Sequence, residues 1–457
     1  MGCWVGWFLV NAHRFCLFHL NTLGWLTRSI LGHFMRKLLC FVSPFLACFV
    51  AGINVCTADE QSDLAFYEDV FSAAPYEPAD TSHYLPSCAR ALDSADYKTV
   101  AESGMGAGWH NRVAHDWAFF NVPASQSKIT VIDYAQTPSG LGYRYLANAN
   151  TQSAVYEPWS SSKVMAIVGA LSKFEPGVAA DTLVGNTRLA DLVTSVHSYA
   201  EAGVADGNSN AIATYFANVA GRDYLTQLFH ADWIHTPNAN VRFRGAYGPL
   251  AFIPESELWT SASLSYSHPV AHYAEGPDDP GYQTYRCDDC GLTGNKPMST
   301  LAEAEFLKRL MSGEREPLTQ LPGFDNSDLT MLLYAPGHSS AAGNVGGMMS
   351  GIGLMLARSI AATLAPGDKR EPNVVLDELT AGKWRIFQKI GAGPSETRQQ
   401  GETVLLAHVC LPKVQGGREF TLAVQSEVPG INDAAVGRAA MAMQATLDQS
   451  MAQLLAH

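Results

Sequence analysis

Apolar and polar residues alternate in Lys128-Ile129-Thr130-Val131-Ile132-Asp133-Tyr134, the period of a half-buried strand. Pro138-Ser139-Gly140 then supplies a turn, and Gly142-Tyr143-Arg144-Tyr145-Leu146-Ala147 can return as a second strand, so a hairpin is predicted. From there to about residue 365 the spacing is helical, with helices predicted at 160–172, 188–202, 209–220, 223–230 and 300–312. The last of these opens with a Thr300 to Glu303 capping box. Ser339 to Ala357 carries no charge and reads as a buried helix packed closely through Gly343, Gly346 and Gly347. Strand signals resume at 384–389, 403–410 and 420–425, and a helix with small and apolar residues on one face closes the chain from about Asp433 to Leu455. Hairpin, helical block, three strands and helix imply an α/β fold in which an antiparallel sheet is built from both chain ends. Helices flank the sheet, and an all-helical domain is inserted between its halves. The expected sheet parts are about 115–158 and 380–457, the helical part about 159–379, and the acidic stretch 59–114 is an irregular extension.

The first 58 residues break this pattern. They hold four basic residues (Arg14, Arg28, Arg36, Lys37), no acidic one and the densest apolar runs. A basic start at Met35-Arg36-Lys37, an apolar centre and the small-residue exit Val55-Cys56-Thr57-Ala58 read as an export signal cleaved after Ala58, with Met35 as the expected true start. An uncleaved anchor is disfavoured by the short apolar core and Pro44, and a lipoprotein by the poor context of Cys48 and Cys56. The mature chain is therefore expected in the periplasm or medium, meeting a membrane only during export. It would keep 26 basic against 43 acidic residues, a net charge near −17, which excludes nucleic acid and anionic membrane surfaces as partners. Cys88, Cys287, Cys290 and Cys410 would remain in an oxidising compartment where disulfides are allowed.

Three short clusters carry candidate chemistry. Ser160 and Lys163 stand three apart at the start of a predicted helix, on one face, where a desolvated lysine can take a serine's proton. Asn208-Ser209-Asn210 enters the helix predicted at 209–220, where polar side chains ordinarily act as caps. Lys389-Ile390-Gly391-Ala392-Gly393 ends a late strand, where glycines ordinarily make a turn. A fourth cluster, His268, His272, Cys287 and Cys290, spells H-x3-H and C-x2-C and could hold a tetrahedral zinc, although export favours a local disulfide instead. No cofactor is expected. Cys88 and Cys410 read as buried thiols or a second bridge.

Taken together and in this order, the three clusters resemble the S-x-x-K, S-D-N and K-T-G set of class A β-lactamases and penicillin-binding proteins. The resemblance covers roughly residues 115–457 and implies a β-lactamase/transpeptidase-like fold and a monomeric serine hydrolase. The implied substrate is a β-lactam or a peptidoglycan peptide. It further implies that Ser160 is the acylated nucleophile, Lys163 its proton acceptor, and Lys389 the positive field for a substrate carboxylate. Asn208 would stand at the second motif's serine and Asn210 would contact the substrate's amide side chain. Gly391 and Ala392 would line the substrate, the backbone N–H groups of Ser160 and Ala392 forming an oxyanion hole. The chain departs from the set at Asn208, unless Ser209 supplies the missing hydroxyl, and at Ile390, which has none. No E-x-x-L-N string lies between Asn210 and Lys389, and Glu255 and Glu257, the nearest candidates for a water-activating base, read more simply as surface carboxylates. A persistent acyl-enzyme is therefore expected. The alternatives are a D-alanyl-D-alanine carboxypeptidase or other penicillin-binding type, and a non-catalytic binding protein on the same scaffold.

Overall fold

The computed structural model describes residues 58–456 except 73, 176, 274–275, 277, 284–293 and 340–342. The predicted signal segment and the pair Cys287 and Cys290 thus lie outside the described residues. The stretch expected to be irregular opens with a helix, α1 (Ala58–Ser72). A strand the alternation did not reveal, β1 (Ala114–Phe120), precedes the hairpin β2 (Ser127–Thr137) and β3 (Gly140–Asn148). After it come α2 (Lys163–Leu171), α3 (Leu189–Ser198), α4 (Ser209–Ala220), a short pair β4 (Leu258–Ser261) and β5 (Tyr266–Pro269), α5 (Thr300–Ser312) and α6 (Asn326–Tyr334). The chain closes with α7 (Met355–Leu364), α8 (Pro372–Thr380), β6 (Arg385–Ser395), β7 (Gln400–Leu411), β8 (Arg418–Pro429) and α9 (Asp433–Leu454).

The long strands run antiparallel in the order β3-β2-β8-β7-β6. Pairing of β8 with β2, from Phe420 opposite Asp133 to Ser426 opposite Ser127, joins the two ends of the chain as the strand order predicted. On the outer edge of β3, β1 is added in parallel. Its opening His115-Asp116 is exposed and its burial is irregular, which is why no alternation marks it. Side chains of the sheet divide by period two: Ile129 and Val131 join one core with Leu356, Leu376 and Met443, whereas Ile132 and Tyr134 join another with Leu301 and Leu307. The first core belongs to α7, α8 and α9 on one face, so α7 and α8 are part of the sheet's cover rather than of the helical insert. The insert itself is helical in bulk but also carries a four-strand ribbon of β4, β5 and the two-residue strands Leu183–Val184 and Thr187–Arg188.

Two local expectations change. Residues 343–354 are not a helix but a loop with one 3-10 turn, Gly347–Ser350, before α7. Close approach through glycine is nonetheless present: a Cβ at Gly346 would stand 2.8 Å from Tyr334 O, and one at Gly351 2.2 Å from Gln388 O. At α5 the cap is Ser299, whose side chain accepts from Ala302 N, while Thr300 bonds to Thr130 and Glu303 turns inward. Cys88 and Cys410 form a disulfide with Cα atoms 5.8 Å apart, fastening the N-terminal extension to β7. Among the described residues no helix is long and apolar enough to cross a membrane.

Candidate functional site

Ser160 sits in a single 3-10 turn, Trp159–Ser162, that leads directly into α2. Trp159, immediately before it, has φ 51°, a left-handed conformation that costs a non-glycine residue about 1–3 kcal/mol. Its surroundings hold it there. The indole Nε1 donates to Glu402 Oε2 at 2.7 Å, and the ring lies on Gly393, where a Cβ would come within 2.4 Å of it. Gly391 admits the turn in the same way, because a Cβ there would stand 2.6 Å from both Pro158 O and Ser160 N. β6 is the end strand of the sheet, and it meets the backbone of the Ser160 turn at Gly391.

Lys163, the first residue of α2, is fully buried. Its Nζ donates to Ser209 Oγ at 2.9 Å and to Asn210 Oδ1 at 2.7 Å. Ser209 in turn donates to Val196 O at 2.7 Å. Asn208 does not face this cluster: it is the N-cap of α4, accepting from Ala211 N at 3.1 Å, and the hydroxyl beside Lys163 comes from Ser209, one residue later. Period-two alternation along β6 sends Lys389 into the site and Ile390 into the opposite core, where its Cδ1 lies 3.4 Å from a Cβ position at Gly353. Lys389 Nζ donates to the hydroxyl of Tyr199 at 2.8 Å.

Tyr199 was not legible as a site residue. It follows the last residue of α3 as its C-cap, with φ 57°, nine residues ahead of the polar cluster at 208–210. A tyrosine held in the left-handed region, where glycine or asparagine is usual, is the one signal that singles it out, and that signal is structural. Although 39% of Tyr199 is exposed, its hydroxyl accepts from Lys389 Nζ, and the hydroxyls of Ser160 and Ser209 are close enough to act on its acidity. The second cluster is therefore split, with a hydroxyl from Tyr199 and an amide from Asn210 reaching the site from either side of the 200–207 loop.

Burial governs the charges. Desolvation, with Lys296 nearby, holds Lys163 well below the usual lysine range, and desolvation with Lys163 nearby does the same to Lys389. Lys296 is lowered to about 8, mainly by desolvation, and donates to Ala246 O at 2.9 Å. Desolvation pushes Tyr199 up to about 12, with the nearby hydroxyls of Ser160 and Ser209 opposing the shift. His197, buried near both lysines, is lowered to about 3 and stays neutral. A neutral lysine has two N–H groups. Lys163 Nζ directs its N–H groups at Ser209 and Asn210.

Glu255 and Glu257 are exposed on the segment before β4. His268 is on β5 with its ring stacked 5.7 Å from that of Tyr266, and His272 lies 5.4 Å from the ring of Tyr215. Among the described residues no group of three or more His, Cys, Asp or Glu is placed to hold a metal.

Solved structures similar to the chain include class A β-lactamases and a penicillin-binding protein. They include a variant of the last common ancestor of the Gram-negative class A β-lactamases (14% identity, 73% of this chain and 94% of that one, TM-score 0.36). PBP-A is similar at 12% identity over 71% of this chain and 88% of that one, TM-score 0.35. A β-lactamase from Chitinophaga pinensis is similar at 12% identity over 71% and 94%, TM-score 0.35. No protein-family model and no curated protein matches the sequence.

Proposed function

We propose that the chain is an exported active-serine enzyme that forms an acyl-enzyme at Ser160 from a β-lactam or a related amide such as a peptidoglycan peptide. The observation that carries this reading is the burial of two lysines beside the Ser160 turn, Lys163 bonded to Ser209 and Lys389 to Tyr199, whose acidity the Ser160 hydroxyl affects. Ser160 Oγ attacks the carbonyl carbon as its proton passes to Lys163. The C–N bond then breaks, and the leaving nitrogen takes a proton through Tyr199, which Lys389 hydrogen-bonds. The backbone N–H groups of Ser160 and Ala392 receive the oxyanion, each donor being worth about 3 kcal/mol. Asn210 orients Lys163 and the substrate amide, and Gly391 leaves room for the extended substrate along β6.

Exposure of Glu255 and Glu257 supports slow deacylation, hence a penicillin-binding rather than a lactamase type of turnover. The Cys88–Cys410 disulfide supports an oxidising compartment. A chromogenic cephalosporin and a fluorescent penicillin, each offered to the protein and to S160A, test the reading. Stable Ser160-dependent labelling with little colour is expected, rapid colour would replace slow with fast turnover, and no Ser160-dependent label with either compound would sink the acylation reading for lactams.

A further inference from the structure

Beneath the nucleophile turn lies a carboxyl group that the acylation chemistry does not use. Glu303, in the first turn of α5, is fully buried. Its Oε1 is 2.6 Å from Ser161 Oγ and its Oε2 is 2.7 Å from the hydroxyl of Tyr156. Ser161 Oγ is also 2.7 Å from Pro158 O. Three oxygen–oxygen contacts this short each need a proton, and a carbonyl can only accept. Tyr156 and Ser161 own one proton apiece. If the Ser161 proton goes to Pro158 O, the contact between Glu303 and Ser161 lacks one; if it goes to Glu303, the contact between Ser161 Oγ and Pro158 O lacks one, although Pro158 O still accepts the Ser161 N–H at 3.1 Å. We propose that Glu303 is a neutral carboxylic acid that donates to Ser161 and thereby acts as a positioning residue for the Ser160 turn. Proton count then equals contact count: Tyr156 donates to Glu303, Glu303 to Ser161, and Ser161 to Pro158 O. These links bracket Ser160 on both sides, at Pro158 and at Ser161.

The surroundings agree. No Lys or Arg among the described residues forms an ion pair with Glu303, while Glu305 on the same helix pairs with Lys308 and Arg309. From the strand it packs on comes Tyr156, from the turn Ser161, and from the loop ahead of residue 250 Tyr247, whose hydroxyl burial holds protonated. Desolvation raises Glu303 to about 7, its two hydrogen-bonding neighbours opposing the shift.

The inference rests on the reading of Ser160 as the acylated nucleophile, so two measurements separate them. In the first, labelling by a fluorescent penicillin is followed from about pH 6 to about pH 9 in the parent protein, E303Q and E303A. A glutamine amide can donate to Ser161 and accept from Tyr156 at any pH, so E303Q should keep the neutral-pH rate and lose the fall that the parent shows above about pH 7. E303A should be slower throughout, on the order of tenfold to a hundredfold, the usual result of a small misplacement. An alkaline fall identical in E303Q and parent overturns the proposal. The second measurement needs no activity: melting of S160A is compared with that of S160A/E303Q. An unfolded glutamate releases its proton near 4.5 and the folded one near 7, so the folded state holds more protons between those values. The stability of S160A should therefore fall relative to S160A/E303Q across that window and run level above it. A difference that stays flat from about pH 5 to about pH 7 overturns the neutral acid even if no penicillin labels the protein.

Discussion

At the scale of single residues, the site depends on one side chain that no motif announces. Tyr199 accepts from Lys389 with its hydroxyl near that of Ser160, and replacing it by phenylalanine keeps the ring and removes only the hydroxyl. Y199F should lower the rate of Ser160 labelling about a hundredfold, in the range of lost general acid–base assistance, with little change in melting temperature. An unchanged rate would remove Tyr199 from the proton path. Lys163 gives the complementary test. A lysine accepts the serine proton only when uncharged, and burial lowers its pKa, so in E303Q, which lacks the alkaline fall, labelling should rise with pH and reach its plateau well below 10.5. K163R, permanently charged, should abolish labelling at every pH, whereas a K163R protein that labels normally would transfer the base role elsewhere. The inward placement of Lys163 and Lys389 was legible because helical and strand periods fix which face each occupies, whereas Ser160 lies in a 3-10 turn ahead of the helix the spacing predicts. Asn208 and Ser209 could not be told apart, because the register of a cap against its helix is set by which backbone N–H is left open, here that of Ala211.

Elements were legible wherever a period ran long enough. The helices predicted at 209–220 and 300–312 coincide with α4 and α5, and the late strands emerge longer than predicted because their ends are paired rather than solvated. β1 was missed because its pairing to β3 is parallel and half-exposed, and the loop around Gly347 was mistaken for a helix because glycines serving close approach look the same in either conformation. Such approaches are also where an element can be tested. β6 meets the Ser160 turn at Gly391, where a methyl would fall 2.6 Å from Ser160 N and 2.8 Å from Ser161 N. Neither contact is the flexible end of a side chain, so G391A must push strand and turn apart. It should cost about 1–3 kcal/mol of stability and most of the labelling rate, while G106A, with nothing within 4 Å of its Cβ position, should leave both unchanged. Full labelling in G391A would mean that the edge of β6 does not frame the acylation site.

Over the whole molecule, the same disulfide that hints at compartment also decides how the N-terminal extension is held. Cys88 and Cys410 stand 322 residues apart in sequence, and both are buried. Around them Glu419 accepts from the backbone N–H groups of Cys88 and Ala89 at 2.8 and 3.0 Å and pairs with Arg315 at 2.9 Å, so the extension is bonded to β8 as well as bridged to β7. Closing so long a loop restricts the unfolded chain, and removing a native bridge typically costs about 2–5 kcal/mol. Because the sulfurs are enclosed, a reductant reaches them chiefly when the chain opens. Melting the protein with and without reductant, beside C88S/C410S, should therefore give a lower transition in reductant that matches the double variant, while Ser160 labelling at room temperature stays intact in all three. The candidate cluster draws its residues from the Ser160 turn, α2, the end of α3, α4 and β6 and none from the extension, so loss of labelling alongside lost stability would show that the extension shapes the site instead of merely bracing the sheet.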